Sequence, residues 1–135
     1  MSGRGLSPRA WTTAIVAMHL VVSIVHGAAH DGARVPLSRA ANLFVFVVIL
    51  GGPLLGAALL WWRPLAGGRL VAVTMAGSLV FGVVNHFARS SPDHVAQVAA
   101  PWRPMFTLTA VLLALTEAAG TIAALRVTGE RTQAL

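Results

Sequence analysis

Apolar residues along this chain neither alternate nor recur at every third or fourth position. They run almost unbroken, four times, over Ala10–Ala29, Ala40–Trp62, Leu70–Phe87 and Met105–Leu125. Each run is close to the roughly 20 residues that an α-helix needs to cross the hydrocarbon core of a bilayer. The segments between them are "DGARVPLSR", "RPLAGGR" and "RSSPDHVAQVAAPWRP". Gly, Pro, Ser and Arg gather there, as connections require. The pattern predicts an all-α, integral membrane four-helix bundle forming one domain over residues 1–135.

Local signals refine that outline. "GGP", Gly51 to Pro53, falls near the middle of the second run. Proline removes a helix hydrogen bond there and crowds the Ile49 carbonyl, so a kink is expected. Gly77 and Gly82 in the third run and the Ala118–Gly120 stretch in the fourth are small enough for close helix packing. In the third connection, Ser91 as N-cap, Pro92 in the first turn and Asp93 near the positive helix end predict a short interfacial helix. From Arg126 a short polar tail is expected to fray. The first run has an Arg-bearing start and the small residues "GAA", but His19 and His26 in its core argue for a retained span over a cleaved signal peptide.

Composition strengthens the membrane reading. Of 135 residues, 56% are hydrophobic and 10% charged, against about a quarter charged in soluble domains. There is no cysteine, so thiolate metal sites and iron–sulfur clusters fall away. The net charge is +6 and every cation is arginine. These arginines sit singly between apolar runs with no basic stripe, which excludes nucleic acid as a partner and places them at membrane boundaries. Arg4, Arg9, Arg63, Arg69, Arg126 and Arg131 fall on one side, and Arg34, Arg39, Arg89 and Arg103 on the other. The bias puts both termini in the cytoplasm, with Trp11, Trp61, Trp62 and Trp102 at the interfaces. Arginine without lysine, and abundant Ala, Gly and Val, fit a bacterial inner-membrane protein. Its partners are the bilayer and, on one reading, other membrane subunits or further copies of the chain.

The ionisable residues then sort by depth. His19 and Glu117 lie near the middle of the first and fourth runs, at depths matching within about one helical turn, ~5 Å. Such groups normally face the bundle interior and find a partner, so the two are expected to form a buried polar pair. His26 and His86 end the first and third runs, and His30, His94, Asp31 and Asp93 occupy the adjoining connections. Segment parity alone brings all six to one side of the membrane. At about 100° per residue, His19, His26 and His30 share one stripe. His26 and His30 also have the i, i+4 spacing by which two imidazoles can bind one metal. Gly27 directly after His26 threatens that spacing, because a helix ending there would leave His30 in a loop.

Imidazole suits Zn, Cu, Fe and haem iron. In one reading His26 and His86 are axial ligands of a haem b. In another, His26, His30, His86 and His94 with Asp93 bind a Cu, Zn or Fe ion, for electron transfer or metal handling. A cofactor-free relay of protons through Glu117, His19 and His26, as in a small proton-coupled carrier, is a third. A non-catalytic accessory or assembly subunit is the rival of a different class. The helix count and the positions of His26 and His86 resemble small bacterial four-span proteins of the b-type cytochrome and copper-handling kinds. No catalytic motif is present: phosphate loops, nucleophile elbows and paired carboxylates for glycoside chemistry are all lacking.

Overall fold

The computed structural model describes residues 5–133. Arg4, used in the charge count above, lies outside them, as does the side chain of Arg131. The described chain is all-helical, with four helices long and apolar enough to cross a membrane. They are α1 (Pro8–Gly32), α2 (Arg39–Leu59), α3 (Pro64–Ala88) and α4 (Arg103–Gln133). Large apolar side chains cover their outward surfaces: Leu43, Phe46, Trp62, Val73, Val80, Leu108 and Leu115 are each well over half exposed. An apolar surface of that extent marks contact with lipid or with other protein.

Helix ends differ from the sequence reading for identifiable reasons. The α1 helix starts where Ser7 Oγ accepts the Ala10 N–H and Pro8 occupies the first turn. It passes through Gly27 and ends at Gly32. Arg34 N–H then donates to the Asp31 carbonyl and Val35 N–H to the His30 carbonyl, both at 3.0 Å. This is a Schellman stop with Arg34 in the left-handed position usually given to glycine, at φ 55°. His30 is therefore helical, and its i, i+4 relation to His26 holds. At the other end of the chain, the polar tail does not leave the helix at Arg126, because α4 continues to Gln133. The Thr128 and Thr132 hydroxyls bond back to carbonyls of that same helix.

Proline in α2 is absorbed by a change of helix type. Val45–Gly51 is a π-helical stretch leading into Pro53, and Gly52 N–H donates to the Val47 carbonyl five residues back. The wider turn moves the carbonyls that a proline ring would otherwise strike. The interfacial helix expected after α3 is instead a run of turns. His94 N–H bonds to the Ser91 carbonyl and Gln97 N–H to the His94 carbonyl, but the pattern never repeats into a helix. Ser91 Oγ caps nothing and is buried without a partner.

Packing is uneven. The α4 helix lies along both α1 and α3, and the second half of α2 packs on α3. Backbones come close there: a Cβ on Gly56 would lie 2.6 Å from Val71 Cγ2, and one on Gly67 would lie 2.7 Å from the Gly56 carbonyl oxygen. The first half of α2 leans on α3 and forms no packed interface with α1. At the end near the chain termini, Val16, Ala57, Val71, Ala72, Met75 and Ala124 close an apolar core. At the opposite end, Ala29, Val98 and Phe106 form a second one beneath the α3–α4 connection.

The close crossing generates a prediction. Gly67→Ala forces backbone atoms apart and should destabilise by about 1–3 kcal/mol, the usual cost of overpacking. Gly27→Ala meets no atom within 4 Å and should stabilise by about 0.5–1 kcal/mol. Thermal unfolding of the detergent-solubilised protein should separate the two in opposite directions.

Candidate metal centre

Three imidazoles converge at the end of the bundle that holds both the α1–α2 and the α3–α4 connections. His26 and His30 come from the last turns of α1, and His86 comes from a π-helical turn, Val84–Ala88, that ends α3. All three are buried, at 6%, 9% and 6% exposure. One ring nitrogen from each lies within 4.8 Å of the others. The Phe106 ring, fully buried at the start of α4, is the floor against which they pack, with ring centroids 4.7–5.4 Å apart.

Hydrogen bonds anchor each ring. Thr109 Oγ1, which also lies against the Met105 and Phe106 carbonyls of its own helix, bonds to His26 Nδ1 at 2.8 Å; a hydroxyl can donate or accept there, according to the tautomer of the ring. His86 Nδ1 faces the main-chain carbonyl of Asp93 at 3.1 Å, which can only accept, so His86 Nδ1 carries a proton and, in the neutral ring, its Nε2 presents a lone pair. His30 Nδ1 faces the Val35 carbonyl at 3.4 Å, the residue that the Schellman turn places there.

The opposite edges of the rings meet across the site. His26 Nε2 and His86 Nε2 are 3.3 Å apart. His30 Nε2 lies 3.2 Å from Asp93 Oδ1, which also sits 3.3 Å from His86 Nδ1. Although it has these neighbours, Asp93 Oδ1 is buried and no donor is aligned on it. Burial works against ionising Asp93, but contact with His86 and the charge that His86, His30 and His26 can carry outweigh it and hold its carboxyl below the ordinary range. The site therefore gathers three buried imidazoles and a carboxylate closely enough that a cation could be held among them.

The sequence-derived candidates divide accordingly. His26, His30 and His86 are brought together, and Asp93 stands beside His30 and His86. His94 is not part of the group. Its Nε2 is taken by the Phe87 carbonyl and its Nδ1 by the Ala96 N–H, because the turn that carries it folds its ring back onto the local backbone. His19 and Glu117 lie deeper, with His19 Nε2 3.3 Å from Glu117 Oε1 and both side chains almost fully buried. Thr109, Phe106 and Val35 hold the imidazoles in place and carry no signal in the sequence, since a threonine, a phenylalanine and a valine are ordinary residues of apolar segments.

A haem between His26 and His86 fits poorly. Its iron would hold the two nitrogens about 4 Å apart on opposite faces of a porphyrin, whereas they stand 3.3 Å apart. The space to the sides, where a macrocycle would extend, is held by the rings of His30 and Phe106.

The Thr109–His26 bond is testable. Thr109→Val removes the partner of a buried imidazole nitrogen and should cost about 1–3 kcal/mol of stability. Thr109→Ser keeps the hydroxyl and should recover most of it. Denaturant unfolding in detergent checks both, and equal losses would show that the bond does not anchor the ring.

No family model, curated protein or solved structure matches this chain, so its chemistry rests on its own residues.

Proposed function

We propose that this is a membrane-embedded metal-binding protein whose ion is held by His26 Nε2, His30 Nε2 and His86 Nε2, with Asp93 as a supporting carboxylate. The observation that carries the reading is the convergence of three buried imidazoles at one end of the bundle, with a ring nitrogen of each within 4.8 Å of the others. Its spacing is apt: two nitrogens each about 2.0–2.1 Å from a tetrahedral Zn are about 3.3 Å apart, the separation of His26 Nε2 and His86 Nε2. Neutral imidazoles without thiolate suit Zn, Cu, Fe or Ni over Mg or Ca. Asp93 sits where a metal-ligating histidine ordinarily finds the carboxylate or carbonyl that fixes its tautomer, here with its main chain against His86 Nδ1.

Three histidine ligands leave a further position open for water or a substrate, as in sites that do chemistry or hand a metal on. Metal handling is the function that this arrangement supports best. The arginine distribution supports a bacterial inner-membrane location with both termini in the cytoplasm, which puts the centre at the outer face.

Purified protein dialysed against Zn or Cu should retain one equivalent, measured by elemental analysis. His26→Ala and His86→Ala should each abolish that retention, Asp93→Asn should lower affinity by about 10–100-fold, and His94→Ala should leave it unchanged. A chain that holds no stoichiometric metal, or one that loses metal equally with His94→Ala, sinks the reading. Co-purification of a metal-free chain with other membrane subunits would favour the accessory-subunit alternative.

A further inference from the structure

A cavity of about 430 Å³ runs from the three imidazoles down to Glu117, with walls from all four helices. That size lies within the range of small-molecule sites, about 300–1,000 Å³. Apart from its polar stations it is lined by apolar side chains such as Val45, Ile49, Phe81 and Leu113. Its side wall is incomplete where the first half of α2 stands away from α1. Ile24 and Phe46 line the cavity at that gap, yet are 64% and 66% exposed on the outer surface of the bundle. The opening thus faces the surface that the apolar exterior assigns to lipid.

Two independent features mark the cavity as a built site. Both π-helical stretches of the fold border it: one supplies Val45, Phe46, Ile49 and Leu50, the other supplies His86. Such wide turns are uncommon and frequently occur at functional sites. The second feature is Gly82. A Cβ there would lie 3.9 Å from both Glu117 Oε2 and His86 Cδ2. The missing side chain leaves one point from which a small group touches the acid on one side and an imidazole of the metal centre on the other.

We infer that this cavity binds a neutral, lipid-soluble alcohol or phenol, which enters from the bilayer between α1 and α2 and sets its hydroxyl over Gly82 between the metal centre and Glu117. This rests on the metal reading for one of the two contacts. A hydroxyl fits because its oxygen can offer a lone pair toward the metal side while its O–H donates to Glu117 Oε2. A carboxylate or phosphate head could reach the ion, but when ionised it has no hydrogen to donate to Glu117 Oε2 and would set a second acid against it in a place water reaches poorly, which is unfavourable. A cationic head would face the ion held by the imidazoles. The hydrocarbon body is matched by the apolar walls.

The test uses the full chain in lipid nanodiscs, loaded with Zn, with metal content and probe content measured on the same samples. The probes are 4-nonylphenol and, as the anionic comparison, dodecanoate. The expected result is saturable uptake of one 4-nonylphenol per chain, and no saturable uptake of dodecanoate. Gly82→Leu, or Ala114→Leu from the facing wall should the first variant not fold, should retain Zn but lose 4-nonylphenol uptake. Zn-loaded protein that takes up no 4-nonylphenol, takes up dodecanoate equally, or is indifferent to both plugs overturns the inference and leaves the metal reading standing. A chain that holds no Zn overturns both.

Discussion

Two imidazole nitrogens 3.3 Å apart, on rings anchored at their opposite edges, are the constraint around which this end of the molecule is arranged. The contact is held by those anchors: His26 to Thr109 on α4, His86 to the Asp93 carbonyl. The anchors in turn depend on larger elements. Thr109 is in reach because α4 packs along α1, and Asp93 because the connection after α3 is tied back by Val95 N–H to the carbonyl of His86 itself. Burial then prevents water from separating the rings. In an apolar bundle a buried polar atom without a partner is costly, and Asp93 Oδ1 is such an atom, set beside His30 and His86.

Much of the fold is legible in the sequence because its governing signal is hydropathy, and four apolar runs of sufficient length are read without knowing any contact. The ends of the helices are less legible. Gly27 looks like a stop and is not, since the Schellman turn at Arg34 supplies one seven residues later and nothing in "HDGARV" demands that arginine take the left-handed position. The loop after α3 carries every residue of a capped helix, but it is tied in turns to His86 by the Asp93 carbonyl and the Val95 N–H, bonds that fall outside the three- and four-residue spacing on which capping rules rest.

The site divides in the same way. The stripe of His19, His26 and His30 follows from helix periodicity, and the common side of His86 from parity. Which histidine joins does not follow, because parity assigns a side and not a facing direction. His94 has the right side and the wrong direction. His86 reaches the group through a π-helical turn, which shifts its facing register relative to a regular helix, and a sequence gives no reliable notice of such turns. The supports Thr109, Phe106 and Val35 depend on how helices are rotated against each other, information that single residues in apolar segments do not carry.

The two ends of the bundle also differ in a way that bears on what the deep pair does. Glu117 lines the inner end of the cavity with His19 bonded to it, and toward the chain termini lies the cluster of Val16, Ala57, Val71, Ala72, Met75 and Ala124. An apolar layer of that kind keeps water from the pair and strengthens the hydrogen bond between the two side chains. With His19 Nε2 3.3 Å from Glu117 Oε1, the carboxyl is held at a fixed place between the cavity and the apolar core, so the polar groups of the bundle are graded along its length: the imidazoles near the connections, the acid and its histidine deeper, and apolar packing beyond them.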